Sequence, residues 1–156
     1  MSSPTNVVPL HSQPDPPRSF EQLWGKAVRS HGYAAVPSIM VRSQARLKLN
    51  TTQFCILIQL IEYWRTKDRA PFPTKQQLAD RIGVSQSTIQ QNMRKLEKAK
   101  LVRREPHKTI SGDWGANTYH LDGLVERIQE LEPEFAEEKK KRQVARRKVE
   151  RPKVRS

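Results

Sequence analysis

Five polar side chains on one short stretch have the chemistry to read a nucleic acid. In QSTIQQNMR, residues Gln86, Ser87, Gln90, Gln91 and Arg94 recur at helical spacing. A glutamine amide can pair with adenine through one donor and one acceptor, and an arginine guanidinium can pair with guanine through two donors. Polar side chains near the leading end of a helix reach base edges when that end enters a major groove. The same residue types also make an ordinary solvated helix face, so the setting of the helix must decide. Around the stretch stand groups suited to phosphates: Thr74, Lys75, Lys95, Lys98, Arg103, Arg104 and Lys108. Trp114 fits either a contact at a loop tip or a side chain packed back on the domain. Phosphate contacts supply position and salt-dependent affinity, not base discrimination.

The elements that would position these groups are legible on both sides. Thr74 and Gln77 form a capping box that opens a helix with Leu78, Ala79 and Ile82 inward. Gly83 supplies a left-handed turn residue, Val84 enters the core, and Ser85 caps a second helix over about 86–99. The inner stripe of that helix is Ile89, Met93 and Leu96, and Val84 with Ile89 can form a hydrophobic staple. Leu101 to Glu105 reads as a strand, His107 to Gly115 as a loop, and Asn117 to Leu121 as the returning strand. Of Tyr119 and His120, which point to opposite faces, one belongs to the core; Arg103 and Arg104 likewise diverge, so at most one touches a given groove wall. Helix, tight turn, helix and basic-edged ribbon describe a winged helix-turn-helix, a mostly α fold with a small β-wing.

The rest of the chain divides around this unit. Residues 1–18 hold Pro4, Pro9, Pro14, Pro16 and Pro17 among small polar residues and read as a disordered arm, with a proline-rich ligand as the rival reading. Residues 19–132 form the winged helix-turn-helix domain with flanking helices. Phe20, Leu23, Trp24, Ala27 and Val28 mark a first helix, with Ser19 and Gln22 as its capping box and Gly32 at its end. Tyr33 to Val36 is extended, a candidate third strand beside the wing, and Ser38 to about Ala45 is a short helix. Residues 51–66, capped by Thr51 or Thr52, form the most apolar helix, with Phe54, Leu57, Ile58 and Ile61 on one face and Cys55 packed as a small hydrophobe. Asp122 caps a helix with Leu124, Val125, Ile128 and Leu131, and Glu132-Pro133 marks a break. Residues 133–156 are a basic tail, partly helical or disordered, and from Lys139 onward they carry ten Lys or Arg against one acid, Glu150. Three uses suit that tail: a second DNA-binding arm, a charged protein-interaction segment, or a solubilising extension.

Composition narrows the partners. The 156 residues carry a formal net charge of +13, which favours a polyanion, nucleic acid before an anionic membrane surface. No apolar run approaches the ~20 residues of a membrane-spanning helix, and the N-terminus lacks the pattern of a secretory signal. Cys55 is the only cysteine, which fits a reducing, cytoplasmic setting. His11, His31, His107 and His120 form no metal-ligand spacing with it, and no nucleophile elbow or phosphate-cradling loop is present. No catalytic residue, metal or cofactor is therefore assigned.

At PFPTKQQLADRIGVSQSTIQQNMRKLEKAKLVRRE the chain resembles the winged helix-turn-helix domains of bacterial regulators and of plasmid or phage replication initiators. The resemblance rests on Leu78-Ala79, Gly83-Val84-Ser85, Thr88-Ile89, Leu96-Glu97 and Leu101-Val102, and it extends over about residues 33–121. YAAVPSIM upstream and GANTYHL downstream are more similar to the replication-initiator and mobile-element type than to metabolite-sensing repressors. Two positions depart from the pattern: Asn92 is polar where an apolar residue is usual, leaving Met93 to pack, and Lys100 replaces a usual glycine. The resemblance implies double-stranded DNA binding with the second helix in the major groove. On this reading the protein is a sequence-specific regulator of a plasmid, phage or integrative element, nucleoid-associated in a bacterial cytoplasm. It would act as a homodimer through the 20–31, 51–66 or 122–132 helix, with a replication or transcription protein as a possible partner of its tails. The alternatives are a replication-initiation or partition accessory binding origin repeats, and a protein-interaction adaptor that uses the fold without reading DNA.

Overall fold

The computed structural model describes residues 18–107 and 116–151. Two short helices, α1 (Arg18–Trp24) and α2 (Lys26–Arg29), come first, then α3 (Ser38–Arg42) and the long apolar α4 (Thr51–Tyr63). The helix-turn-helix is α5 (Lys75–Ile82) and α6 (Gln86–Lys98). The wing strands β1 (Arg103–Glu105) and β2 (Thr118–His120) follow, and α7 (Asp122–Glu150) ends the described chain. The fold is a winged helix-turn-helix, mostly helical with one small antiparallel sheet.

Capping chemistry sets the helix-turn-helix. The Thr74 side chain accepts from the Gln77 N–H, and Gln77 returns a bond to the Thr74 N–H, satisfying two free donors at the start of α5. Gly83 closes α5 at φ 79, a left-handed conformation that costs a residue with a Cβ roughly 1 kcal/mol or more. Ser85 accepts from the Thr88 N–H and starts α6. α4, α5 and α6 pack on one another, burying Ile56, Leu57, Leu60, Leu78, Ala79, Ile89, Met93 and Leu96. Full burial of each large aliphatic side chain contributes about 1.5–3 kcal/mol.

Several local expectations are corrected. Helix 20–31 is divided at Gly25 (φ 85), and Ser19 lies inside α1 instead of capping it. The helix after Pro37 ends at Arg42 and continues as turns. The cap of α4 is Asn50, whose side chain accepts from the Gln53 N–H, not Thr51 or Thr52. The face α4 buries is Gln53, Ile56, Leu57 and Leu60, so Phe54, Ile58 and Ile61 sit at its margin and Cys55 is exposed. Residues 33–36 form no strand. The outer edge of β2 is met instead by the loop before α5, where the Tyr119 N–H donates to the Pro71 carbonyl at 2.8 Å. Pro71 and Pro73 have no N–H to give, so a third strand cannot extend there as a ladder.

The departures from the usual pattern have structural answers. Asn92 is buried beside Met93; its Oδ1 accepts from Asn50 Nδ2 at 3.1 Å, and its Nδ2 donates to the Thr88 carbonyl at 2.9 Å. The cap of α4 and the middle of α6 are thereby tied together. Lys100 holds the glycine position in the glycine conformation, φ 61. The Lys100 N–H donates to the Glu97 carbonyl at 2.9 Å and the Leu101 N–H to the Leu96 carbonyl at 3.1 Å, the two bonds of a Schellman ending. The turn is closed in on its other side by Gly123, where a Cβ would lie 1.9 Å from the Lys100 carbonyl oxygen.

No break occurs at Pro133, because α7 runs through it. A proline inside a helix removes one backbone bond and crowds the preceding turn, so tertiary contacts must offset it. Leu131 is buried just before Pro133, and Phe135 just after it lies under the Arg42 guanidinium at 4.8 Å. Arg46 donates to both Glu134 oxygens at 2.6 and 3.0 Å, and Arg42 to Glu138 at 3.3 Å. The Arg46 fork depresses the Glu134 carboxyl below its ordinary range, first through its hydrogen bonds and then through its charge.

Candidate nucleic-acid interface

α6 turns its apolar stripe to α4 and α5 and leaves a polar face outward. Ser87, Gln91 and Arg94 are exposed, and their side chains make no hydrogen bond among the described residues. At about 100° per residue they share the side of α6 opposite Ile89 and Leu96, together with Lys98. Lys95 is exposed beside them, and Gln90 is half-buried at the flank. Of the five predicted readers, Ser87, Gln91 and Arg94 are therefore brought onto one exposed strip, while Gln86 and Gln90 border it.

Gln86 has a neighbour that the sequence did not reveal. Its Nε2 donates to Gln76 Oε1, and Gln76 Nε2 donates to Asp80 Oδ1 at 2.6 Å. This bridge from α5 holds the Gln86 amide in orientation while leaving its Oε1 and one N–H for another partner. The Gln76–Asp80 pair has the i, i+4 spacing visible in any helix; the reach to Gln86 depends on how α5 crosses α6.

The phosphate-type groups are more dispersed. Thr74 is exposed and Lys75 half-exposed at the start of α5. The Thr74 oxygen serves as a cap acceptor at 3.0 Å from the Gln77 nitrogen, which leaves its hydroxyl proton to donate. Arg104 lies opposite Tyr119 in the ribbon, and its Nε donates to Glu97 of α6 at 3.0 Å. Arg103 points to the other face, is more open to solvent, and stands 3.9 Å from Glu105. Lys108 and Trp114 lie outside the described residues. Tyr119 is the core residue of the returning strand, fully buried, and burial raises its hydroxyl pKa. His120 Nε2 meets Glu105 Oε2 at 2.7 Å, and that hydrogen bond is the main cause holding the Glu105 carboxyl below its usual range.

Elsewhere, a crevice of about 410 Å³ lies between the 33–37 segment, α4 and α7, walled by Tyr33, Met40, Trp64, Leu124 and Ile128. Among the described residues, no group of three or more His, Cys, Asp or Glu is placed to hold a metal ion, and no helix is long and apolar enough to cross a membrane.

Residues 36–142 match the DnaD N-terminal domain family, a span that passes Pro133 as α7 does. No curated protein matches the chain. Among solved structures, the chain is similar to the N-terminal domain of DnaD protein from Geobacillus kaustophilus HTA426, with TM-score 0.51 and 20% identity over 81% of this chain and 99% of that one. It is also similar to a possible transcriptional regulator from Methanosarcina mazei Go1, with TM-score 0.45 and 13% identity over 72% and 96% of the two chains. MarR aligns with TM-score 0.37 and 23% identity, over 84% and 95%.

Proposed function

The chain belongs to the DnaD N-terminal domain family, and from that premise we propose that it binds double-stranded DNA by laying α6 in the major groove. The observation that carries this reading is the exposed strip of Ser87, Gln91 and Arg94, opposite a fully packed helix face. Gln91 has the donor–acceptor pair for adenine and Arg94 the donor fork for guanine. Gln86, oriented by Gln76, and Gln90 extend the readout at its edge. Thr74, Lys75, Lys95, Lys98 and Arg103 hold phosphates, and Arg104 joins them if it exchanges Glu97 for a phosphate oxygen. Lys108 and Trp114 extend the wing contact.

The protein acts as a regulator that occupies its site, in a bacterial cytoplasm, on the nucleoid. A second reading is a replication-initiation or partition accessory that binds origin repeats. The family match and the initiator-like YAAVPSIM and GANTYHL segments favour it. Both readings require duplex binding. Electrophoretic-shift titration of the full chain with random duplex at low salt tests that requirement. Retarded complexes support DNA binding; free duplex throughout the titration would leave the fold as a protein-interaction adaptor.

A further inference from the structure

The last turns of α7 carry a charge pattern that α6 and the wing do not use. From Lys139 to Arg151 every residue is exposed, and the helix is continuous to Glu150. Arg142 is paired with Glu138 and Arg146 with Glu150. The side chains of Lys139, Lys140, Lys141, Arg147, Lys148 and Arg151 have no hydrogen-bond or ion-pair partner among the described residues. The four consecutive bases Lys139 to Arg142 step round the helix at about 100° each, so positive charge surrounds the axis. Val144 and Val149 are the exposed large apolar residues here, and at that step they stand roughly 140° apart. There is no apolar stripe to lie on a lipid surface or to zip against a second helix.

A cationic cylinder fits a partner that presents negative charge on more than one side. The B-DNA major groove is about 12 Å wide, admits a helix and is walled by phosphates. The deep, narrow major groove of A-form RNA is closed to such an element. The contact also has a fixed place on the domain, because Phe135, Glu134 and Glu138 clamp α7 to Arg42 and Arg46 before the basic turns begin. Residues 139–150 extend roughly 18 Å at about 1.5 Å per residue, enough to follow about five base pairs.

We propose that the distal half of α7, Lys139–Arg151, is a second double-stranded DNA contact, seated in a major groove and neutralising phosphates on both walls without reading bases. It goes beyond the α6 contact and stands whether or not α6 reads sequence. One chain then grips duplex at two places, and the basic helix supplies much of the salt-dependent affinity.

The test is equilibrium binding of the full chain to a random-sequence DNA duplex across a salt series. The intact protein is compared with a variant carrying Lys140→Gln, Lys141→Gln, Arg147→Gln and Lys148→Gln. These positions are exposed, and glutamine keeps helix propensity, which circular dichroism verifies. Each lost phosphate contact flattens the slope of log K against log salt by about 0.9, so the variant should lose roughly 3–4 units of slope on DNA. A matched RNA duplex should bind more weakly and show a smaller change. An unchanged DNA slope would overturn the proposal, as would equal changes on DNA and RNA. An unchanged DNA slope with lost binding to anionic vesicles would assign the helix to a membrane surface instead. The same salt series on duplexes of differing sequence, run on Gln91→Ala with Arg94→Ala both with and without the four α7 substitutions, keeps the two contacts separate. A lost preference among sequences with an intact slope change at α7 supports both; an intact preference with the slope change removes only the α6 reading.

Discussion

The Gln91 and Arg94 side chains stand on α6 with no hydrogen-bond partner among the described residues, so removing either leaves the hydrogen bonds described there unchanged. Gln91→Ala or Arg94→Ala should cost about 1–3 kcal/mol on a preferred duplex, the worth of one bidentate base contact, and less on random duplex. Competition binding measures both; equal losses on the two would mean that these side chains meet only phosphates. Lys100 poses the opposite case, a side chain in an unfavourable backbone setting. Its φ of 61 and its Schellman bonds make Lys100→Gly a stabilising change of about 0.5–1 kcal/mol, after allowing for the extra chain entropy glycine loses on folding. Denaturant unfolding reports it, and a lower midpoint would show that the Lys100 side chain contributes more than the backbone strain costs. At this scale the sequence was readable where a residue acts locally. Thr74, Gln77, Gly83 and Ser85 behave as their types and spacing predict. It was not readable where partners come from far along the chain: Asn92 with Asn50, Gln86 with Gln76, and Cys55, which faces solvent from an apolar helix.

The elements show the same division. α5, α6 and the wing follow from caps, a glycine and apolar periodicity. The place of the third strand did not, because the segment meeting β2 is the proline-bearing loop at Pro71, whose register comes from the tertiary fold. α7 also exceeded its local signals, since Pro133 marks a stop until Arg42, Arg46 and Phe135 are brought beside it. That clamp has a pH dependence whose sign is fixed. The Glu134 carboxyl is depressed in the fold from an ordinary value of 4.5, so the unfolded segment binds protons more readily. The stabilisation is fully present above that ordinary value and is lost as pH falls through the depressed one. Hydrogen exchange of the 134–142 amides should hold steady from neutral pH to about pH 5, after correction for intrinsic rates, and lose protection in stronger acid. Arg46→Ala should weaken protection at neutral pH and flatten the acid response; an unaltered profile would remove the ion pair as the clamp.

Over the whole molecule, charge and exposed apolar surface mark different roles. Much of the +13 net charge lies in the C-terminal half of α7 and the residues after it, while the reading strip of α6 contains a single arginine, Arg94, among its predicted base readers. On the proposed reading, affinity and discrimination belong to separate parts of the chain. The apolar residues of α4 and of the first turns of α7 are largely taken up by the core, but α1 and α2 bury no residue, leaving Leu23 79% and Trp24 62% exposed. Of the three helices offered as a dimer surface by their sequence, the first is the one left open. Light scattering should give a dimer for the intact chain and a monomer for Leu23→Asp with Trp24→Asp; a monomer in both would end the homodimer proposal. A dimer would favour half-sites about 34 Å apart on one duplex.

The measurement closest to the central claim is selection of bound sequences from a random duplex pool by the full chain, repeated with Gln91→Ala and with Arg94→Ala. A major-groove α6 predicts a defined motif for the intact protein and loss of preference at one position or a short adjacent run for each variant, with the rest of the motif kept. Motifs identical in all three proteins, or a pool that stays random while still binding, would contradict base reading by α6.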